Sequence, residues 1–179
     1  MPRLFPHGSS PAPDLMGAAT AEREGTELLL RFELSGSVGG VMLPEQSANP
    51  ARRDELWRET CFEAFVRPSG SEAYHEVNIA PSGDWALYHF TDRRLGMTNP
   101  DVPAPAIELE ATGDRLVLRA GLELAGLLSP AVPWQLNLTA VLRTRDANTY
   151  WALAHSPEGL PDFHDPACFV LELPPPSAP

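Results

Sequence analysis

The chain has 179 residues, 43% of them apolar, with two cysteines, Cys61 and Cys168; this length supports one domain that needs neither a disulfide framework nor a metal to fold. Its 24 acidic and 13 basic side chains give a formal net charge of -11, and every basic residue is arginine, clustered no further than Arg52–Arg53 and Arg93–Arg94. That balance excludes nucleic-acid and anionic-membrane binding, which rest on basic groups against phosphate, and no apolar run approaches the ~20 residues of a membrane span.

Twenty prolines punctuate the chain, and each costs a helix interior ~3 kcal/mol, so long helices are not expected. Residues 1–24 read as an extended or partly ordered N-terminal segment, without the apolar stretch of a signal peptide; the expected location is therefore cytoplasmic. A single domain is expected over 25–173. Within it Leu28, Leu30, Phe32 and Leu34 share one face of a strand. Residues 57–66 form the next, with Phe62, Ala64 and Val66 on its apolar side. Residues 74–80 and 84–90 flank Pro81–Ser82–Gly83 as a hairpin. After a turn at Gly113–Asp114, Leu116, Leu118 and Ala120 alternate again, and 122–128 is the one stretch expected to make a helical turn. Trp134, Leu136, Leu138, Ala140 and Leu142 form the longest apolar face, and strands over 149–155 and 168–173 complete the domain. The closing PPPSAP, 174–179, has the composition of a disordered tail. Many short strands between Gly/Pro turns give the fold class: all-β, an antiparallel β-sandwich with little helix.

The residues opposite the apolar faces point to function. Strand 57–66 turns Trp57, Glu59, Cys61 and Glu63 outward; strand 74–80 turns out Tyr74, Glu76 and Asn78; strand 134–143 turns out Gln135, Asn137, Thr139, Val141 and Arg143. A solvated outer sheet face is the common origin of such a set. Asn is depleted in strands, however, and Asn78 and Asn137 both sit in one. Carboxylates, amides and a guanidinium match the hydroxyls of a sugar, and a flat aromatic at the edge stacks on its ring. Trp134 shares the apolar face of its strand and is assigned to the core; Trp85 is left open.

Residues 54–90 carry a recognisable order: Trp57, Cys61 four on, Glu63 six on, then Tyr74 and Asn78-x-x-Pro81-x-Gly83. This segment resembles the family 9 carbohydrate-binding modules and the related DOMON-like domains, and residues 150–173 are similar to the closing part of that fold. The resemblance implies a β-sandwich with a non-catalytic site for a small carbohydrate. By position, Trp57, Glu63 and Asn78 carry over, with Trp151 as the second stacking aromatic; Arg143 joins them from the strand-face argument. Thr60 stands where the family often has Asp. DOMON relatives instead hold haem between Met and His, and Met42, Met97, His89 and His155 supply those types here.

Other chemistries compete less well. His155, Asp162, His164 and Asp165 are metal-ligand types, but their Pro/Gly-rich surroundings read as turns that such residues cap. Glu63 and Glu76, on neighbouring strands, would do acid/base work at a glycosidic bond if about 5–9 Å apart. No Gly-x-Ser-x-Gly elbow, phosphate-binding loop or dinucleotide fingerprint is present, and Cys61 has no base beside it in its strand. The reading is a binding protein rather than an enzyme. A protein-interaction module without a small ligand is the remaining alternative: it needs a flat face near Trp57, whereas a sugar or haem needs a cleft.

Overall fold

Strands form here wherever large aliphatic residues alternate with polar ones, and their order in space decides which face is buried. The computed structural model describes residues 1–8, 14–157 and 159–176. Among them the strands in chain order are β1 (Arg3–Pro6), β2 (Leu15–Glu24), β3 (Glu27–Gly36), β4 (Cys61–Pro68), β5 (Tyr74–Ile79) and β6 (Trp85–Phe90). They continue as β7 (Ala106–Ala111), β8 (Arg115–Glu123), β9 (Trp134–Arg143), β10 (Asn148–Ala152) and β11 (Leu171–Leu173). All named pairings are antiparallel, in the order β6-β5-β4-β9-β10-β1-β2-β3-β8-β7, with β11 on β9. β1 joins the halves: Arg3 and Leu4 pair with β2, Phe5 and Pro6 with β10. The sheet doubles over at this strand into the expected antiparallel β-sandwich.

The core lies between the layers. Leu28, Leu30, Phe32 and Leu34 of β3 meet Phe62, Ala64 and Val66 of β4 and Leu136, Leu138 and Ala140 of β9. The rings of Phe32 and Phe62 are 5.2 Å apart. Each large side chain removed from water this way contributes about 1.5–3 kcal/mol, so the hydrophobic effect is enough to fix the register. Trp134 is buried in this core as expected, and Trp85 joins it with Arg52 stacked on its ring.

Several boundaries differ from expectation. The segment before residue 25 supplies β1 and β2, and β2 pairs with β3 through all ten residues. Strand 57–66 begins only at Cys61; Trp57 sits in a 3-10 turn, Leu56–Arg58. The helical turn expected over 122–128 is instead the end of β8 followed by a turn. The final expected strand, 168–173, divides into a 3-10 turn, Pro166–Cys168, and the short β11. β7, an edge strand with mostly exposed side chains, has no counterpart in the sequence reading. Of the Pro-rich tail, 177–179 lie outside the described residues. No helix among the described residues is long and apolar enough to cross a membrane.

The two layers are not equivalent. β3 is buried on one face, whereas β4, β5 and most of β9 are buried on both. The outer face of β4, β5, β6 and β9 lies beneath three connecting segments, and the candidate site is there.

Candidate functional site

A second apolar cluster marks the outer face: Phe65 of β4, Tyr74 of β5, Ala86, Tyr88 and Phe90 of β6, and Val141 of β9, covered by Phe163 and Phe169. The segments 52–60, 91–99 and, among the described residues, 154–157 and 159–169 rise around it. Between them lies a cavity of about 1140 Å³ lined by Trp57, Glu63, Glu76, Tyr88, Phe90, Arg94, Tyr150, Phe163 and His164, among others. This is slightly above the ~300–1,000 Å³ typical of small-molecule sites. It is a cleft, not a flat face.

Tertiary bonds hold the walls. Asp162 of the 154–169 segment accepts from Arg93 Nε at 3.2 Å and from Arg94 Nη2 at 2.9 Å, tying it to the 91–99 segment. Tyr74 Oη accepts the Arg94 backbone N–H at 3.1 Å and lies 2.6 Å from His164 Nδ1. The arrangement that satisfies all three has Tyr74 donating to Nδ1 and the imidazole proton on Nε2. Burial, followed by the nearby Arg94 charge, pushes His164 down to about 4, so this ring is neutral at pH 7. On the third wall Trp57 is 47% exposed at the rim, with Arg58 over its ring, while Leu56 is pulled down onto the outer cluster.

The floor holds two buried carboxylates. Glu63 is 2% exposed and Glu76 6%. Glu63 pairs with Asn78 and Phe65 with Glu76 in the β4–β5 register, so the two glutamates are diagonal neighbours on one face. The Thr139 hydroxyl donates to Glu63 Oε2 at 2.9 Å and the Asn78 amide to Glu76 Oε1 at 2.8 Å. Burial pushes both carboxyls up; the adjacent Glu76 charge adds to the effect on Glu63, which reaches about 8 despite the Thr139 bond. Removing a carboxylate from water disfavours its charged form, and a second carboxylate nearby adds to that.

The structure distributes the five expected site residues unevenly. Trp57 and Glu63 line the cavity. Asn78 is fully buried on the same face and serves Glu76 from the side. Arg143 does not line the cavity; its side chain pairs with Glu59 and its N–H donates to Thr60. Trp151 requires correction. It is 2% exposed on the opposite face of β10, beside Ala140 in the register, with its indole N–H donating to Thr149. Successive strand residues face opposite sides, so it is Tyr150, one residue earlier, that reaches the cavity.

The candidate metal set is also dispersed. His155 Nε2 lies 2.7 Å from the Phe5 carbonyl, and Asp165 accepts from Ser156 and caps the 3-10 turn through the Ala167 N–H. Asp162 and His164 are engaged as described, and no group of three or more His, Cys, Asp or Glu among the described residues is arranged to hold a metal. Of the Met and His side chains considered for haem, Met97 lines the cavity; Met42, His89 and His155 do not.

The sequence reading missed Tyr88, Phe90, Arg94, Phe163 and His164 as cavity residues. Tyr88 and Phe90 carried a signal, since they share the face of Glu76 across the hairpin. Arg94, Phe163 and His164 sit on long connections whose path no periodicity gives.

No protein-family model matches the chain, and no curated protein does. Solved structures do. A candidate carbohydrate-binding protein of Bacteroides uniformis superposes with a TM-score of 0.70 at 13% identity, over 89% of this chain and 78% of that one. A family 9 carbohydrate-binding module of Caldicellulosiruptor kristjanssonii, solved with cellotriose, superposes with a TM-score of 0.52 at 12% identity, over 86% of this chain and 72% of that one. At these identities the likeness is one of fold: this chain is an antiparallel β-sandwich similar to family 9 modules.

Proposed function

We propose that the protein binds a small carbohydrate, without chemical change, in the cavity on the outer face of β4, β5, β6 and β9. The observation that carries this reading is the pairing of an aromatic rim with buried, directional polar groups in one cleft: Trp57 and Tyr150 above, Glu63 and Glu76 below. Sugar rings need both, an apolar face to stack on and fixed partners for their hydroxyls. The fold likeness to a module solved with cellotriose supports the same reading. Trp57 would stack, Glu63 would bond hydroxyls directly, and Asn78 would act by orienting Glu76. A panel of mono- and disaccharides, screened by thermal shift and then titrated, tests it. Trp57→Ala is expected to weaken binding about tenfold, since a stacking aromatic contributes about 0.5–1.5 kcal/mol beyond its buried area, and to leave the melting temperature within a degree or two. Unchanged affinity in that variant would remove Trp57 from the site; no sugar bound at millimolar concentration would remove the function.

A further inference from the structure

The cavity floor is short of hydrogen-bond donors. Glu63 Oε2 and Glu76 Oε1 are filled by Thr139 and Asn78. Glu63 Oε1 receives no hydrogen bond from a described residue, and Glu76 Oε2 has His164 Nε2 at 3.6 Å, beyond hydrogen-bond reach. Both side chains are more than nine-tenths buried and both face the cavity. These two oxygens open onto the cavity, where a ligand that displaces its water must supply the donors they would otherwise lose. The charge is unbalanced as well. Asp54 and Glu55 line the same cavity, engaged by the Tyr88 hydroxyl and the Arg58 guanidinium, and the guanidinium that lines it, Arg94, is paired with Asp162, so no lining cation is left over for Glu63 and Glu76.

We infer that the site selects a sugar bearing a free primary ammonium, an amino sugar of the glucosamine type, seated with its ammonium between Glu63 and Glu76. The inference rests on the carbohydrate reading above and names the ligand class of that site. An ammonium offers three donors and no acceptor, so it fills both open oxygens and supplies the missing positive charge. Diagonal neighbours on one sheet face are close enough for long side chains to share one small cation. Trp57, Tyr88 and Phe90 present aromatic surface to the same cavity, and ring faces attract cations. A hydroxyl fills an oxygen but leaves the charge; an N-acetyl group removes the positive charge; a uronate adds a further carboxylate. In the empty cavity a proton on Glu63 stands in for the cation. Arg94, His164, Asp54, Glu55, Tyr74, Tyr88 and Cys61 are the other titratable groups around the pair.

Calorimetric titration of the full chain at pH 7 with D-glucosamine, D-glucose, N-acetyl-D-glucosamine, D-glucuronate and hexylamine tests this. Glucosamine is expected to bind at least tenfold more tightly than glucose, to lose that advantage on acetylation, and to release protons on binding. Glu63→Gln and Glu76→Gln are each expected to weaken glucosamine at least tenfold more than they weaken glucose, which erases the preference. Should one variant fail to fold, the other and the wild-type ranking carry the test. Equal affinity for glucose and glucosamine, or tightest binding of glucuronate, overturns the ammonium seat and leaves the sugar reading standing. Hexylamine matching glucosamine while glucose is silent keeps the ammonium seat and overturns the sugar reading. Silence of every probe overturns both.

Discussion

Burying Glu63 should make the protein less stable as pH rises, and Glu63→Gln should abolish that loss. The side chain is 2% exposed and its carboxyl is held up to about 8, against an ordinary value of 4.5. Between those values folded Glu63 holds its proton more often than unfolded Glu63 does, so its contribution to stability is greatest below pH 4.5 and is lost as pH rises through 8. The interval spans about 3.5 pH units at ~1.4 kcal/mol each, a ceiling of about 5 kcal/mol. Water entering through the cavity mouth and local relaxation reduce the realised cost, so about 2–5 kcal/mol is expected. Gln keeps the shape and can still accept the Thr139 hydroxyl bond, but has no charge to bury. Urea unfolding of both proteins from pH 5 to pH 9 reads the effect. With ~2 kcal/mol per M of urea, the variant's midpoint should exceed that of the wild type by about 1–2.5 M at pH 9, with little difference at pH 5. His75 and His164, both held near 4, push stability the other way below pH 6.5, but they are present in both proteins and cancel in the difference. Parallel wild-type and variant midpoints across this range would refute the burial argument.

Two further outcomes separate the site from the scaffold. Trp151→Ala is expected to cost about 3–5 kcal/mol of stability by opening a cavity in the core; sugar affinity of the fraction that remains folded, measured at low temperature, should stay within twofold. Asp162→Ala releases the Arg93 and Arg94 side chains that bind the 154–169 segment to the 91–99 segment, so amide exchange in 154–169 should quicken severalfold and binding weaken, with a change of less than 1 kcal/mol in global stability because these pairs are partly exposed.

What the sequence shows of this fold depends on the size of the buried side chains. β3, β8 and β9 bury Leu, Phe and Trp on one face, so their alternation stands out. β2 buries Leu15, Gly17, Ala19 and Ala21, and small residues give the alternation no amplitude. The reason for the small residues lies far along the chain: a Cβ on Gly17 would stand 3.4 Å from the Trp151 ring and 3.3 Å from Leu4 Cβ. The strand was hidden by its own close packing. Trp57 and Glu63, which motif order singles out, both line the cavity; strand parity accounts for Glu63 within β4, whereas Trp57 precedes the strand in a 3-10 turn. Trp151 fits the resemblance as an aromatic near the end of the chain, but its parity in β10 is opposite to that of Tyr150, which turns it into the core. Asn78 and Asn137 were rightly singled out as unusual in strands. Their amides turn to Glu76 and to the Ala154 carbonyl, so they position the floor and a wall rather than facing the cavity.

The strongest pointer to function is a feature the fold does not need. Arg115 with Glu33 and Arg119 with Glu110 lie on the other layer, exposed in solvent; pairs of that kind are worth about 0–1 kcal/mol and say nothing about a site. Glu63 and Glu76 are different, because each is buried on a face that already has an apolar cluster beside it and neither has a cationic partner within bonding distance. Apolar side chains of similar volume would pack there with no charge to desolvate, and replacements of buried charged groups by such residues often stabilise by 1–4 kcal/mol. The double variant Glu63→Met, Glu76→Met is therefore expected to be more stable than the wild type at pH 8 and to bind no sugar. Loss of both stability and binding would mean that the carboxylates hold the sheet face together and that their position in the cavity is incidental. Gain of stability with loss of binding would show a fold that gives up stability to keep two acceptors facing a ligand.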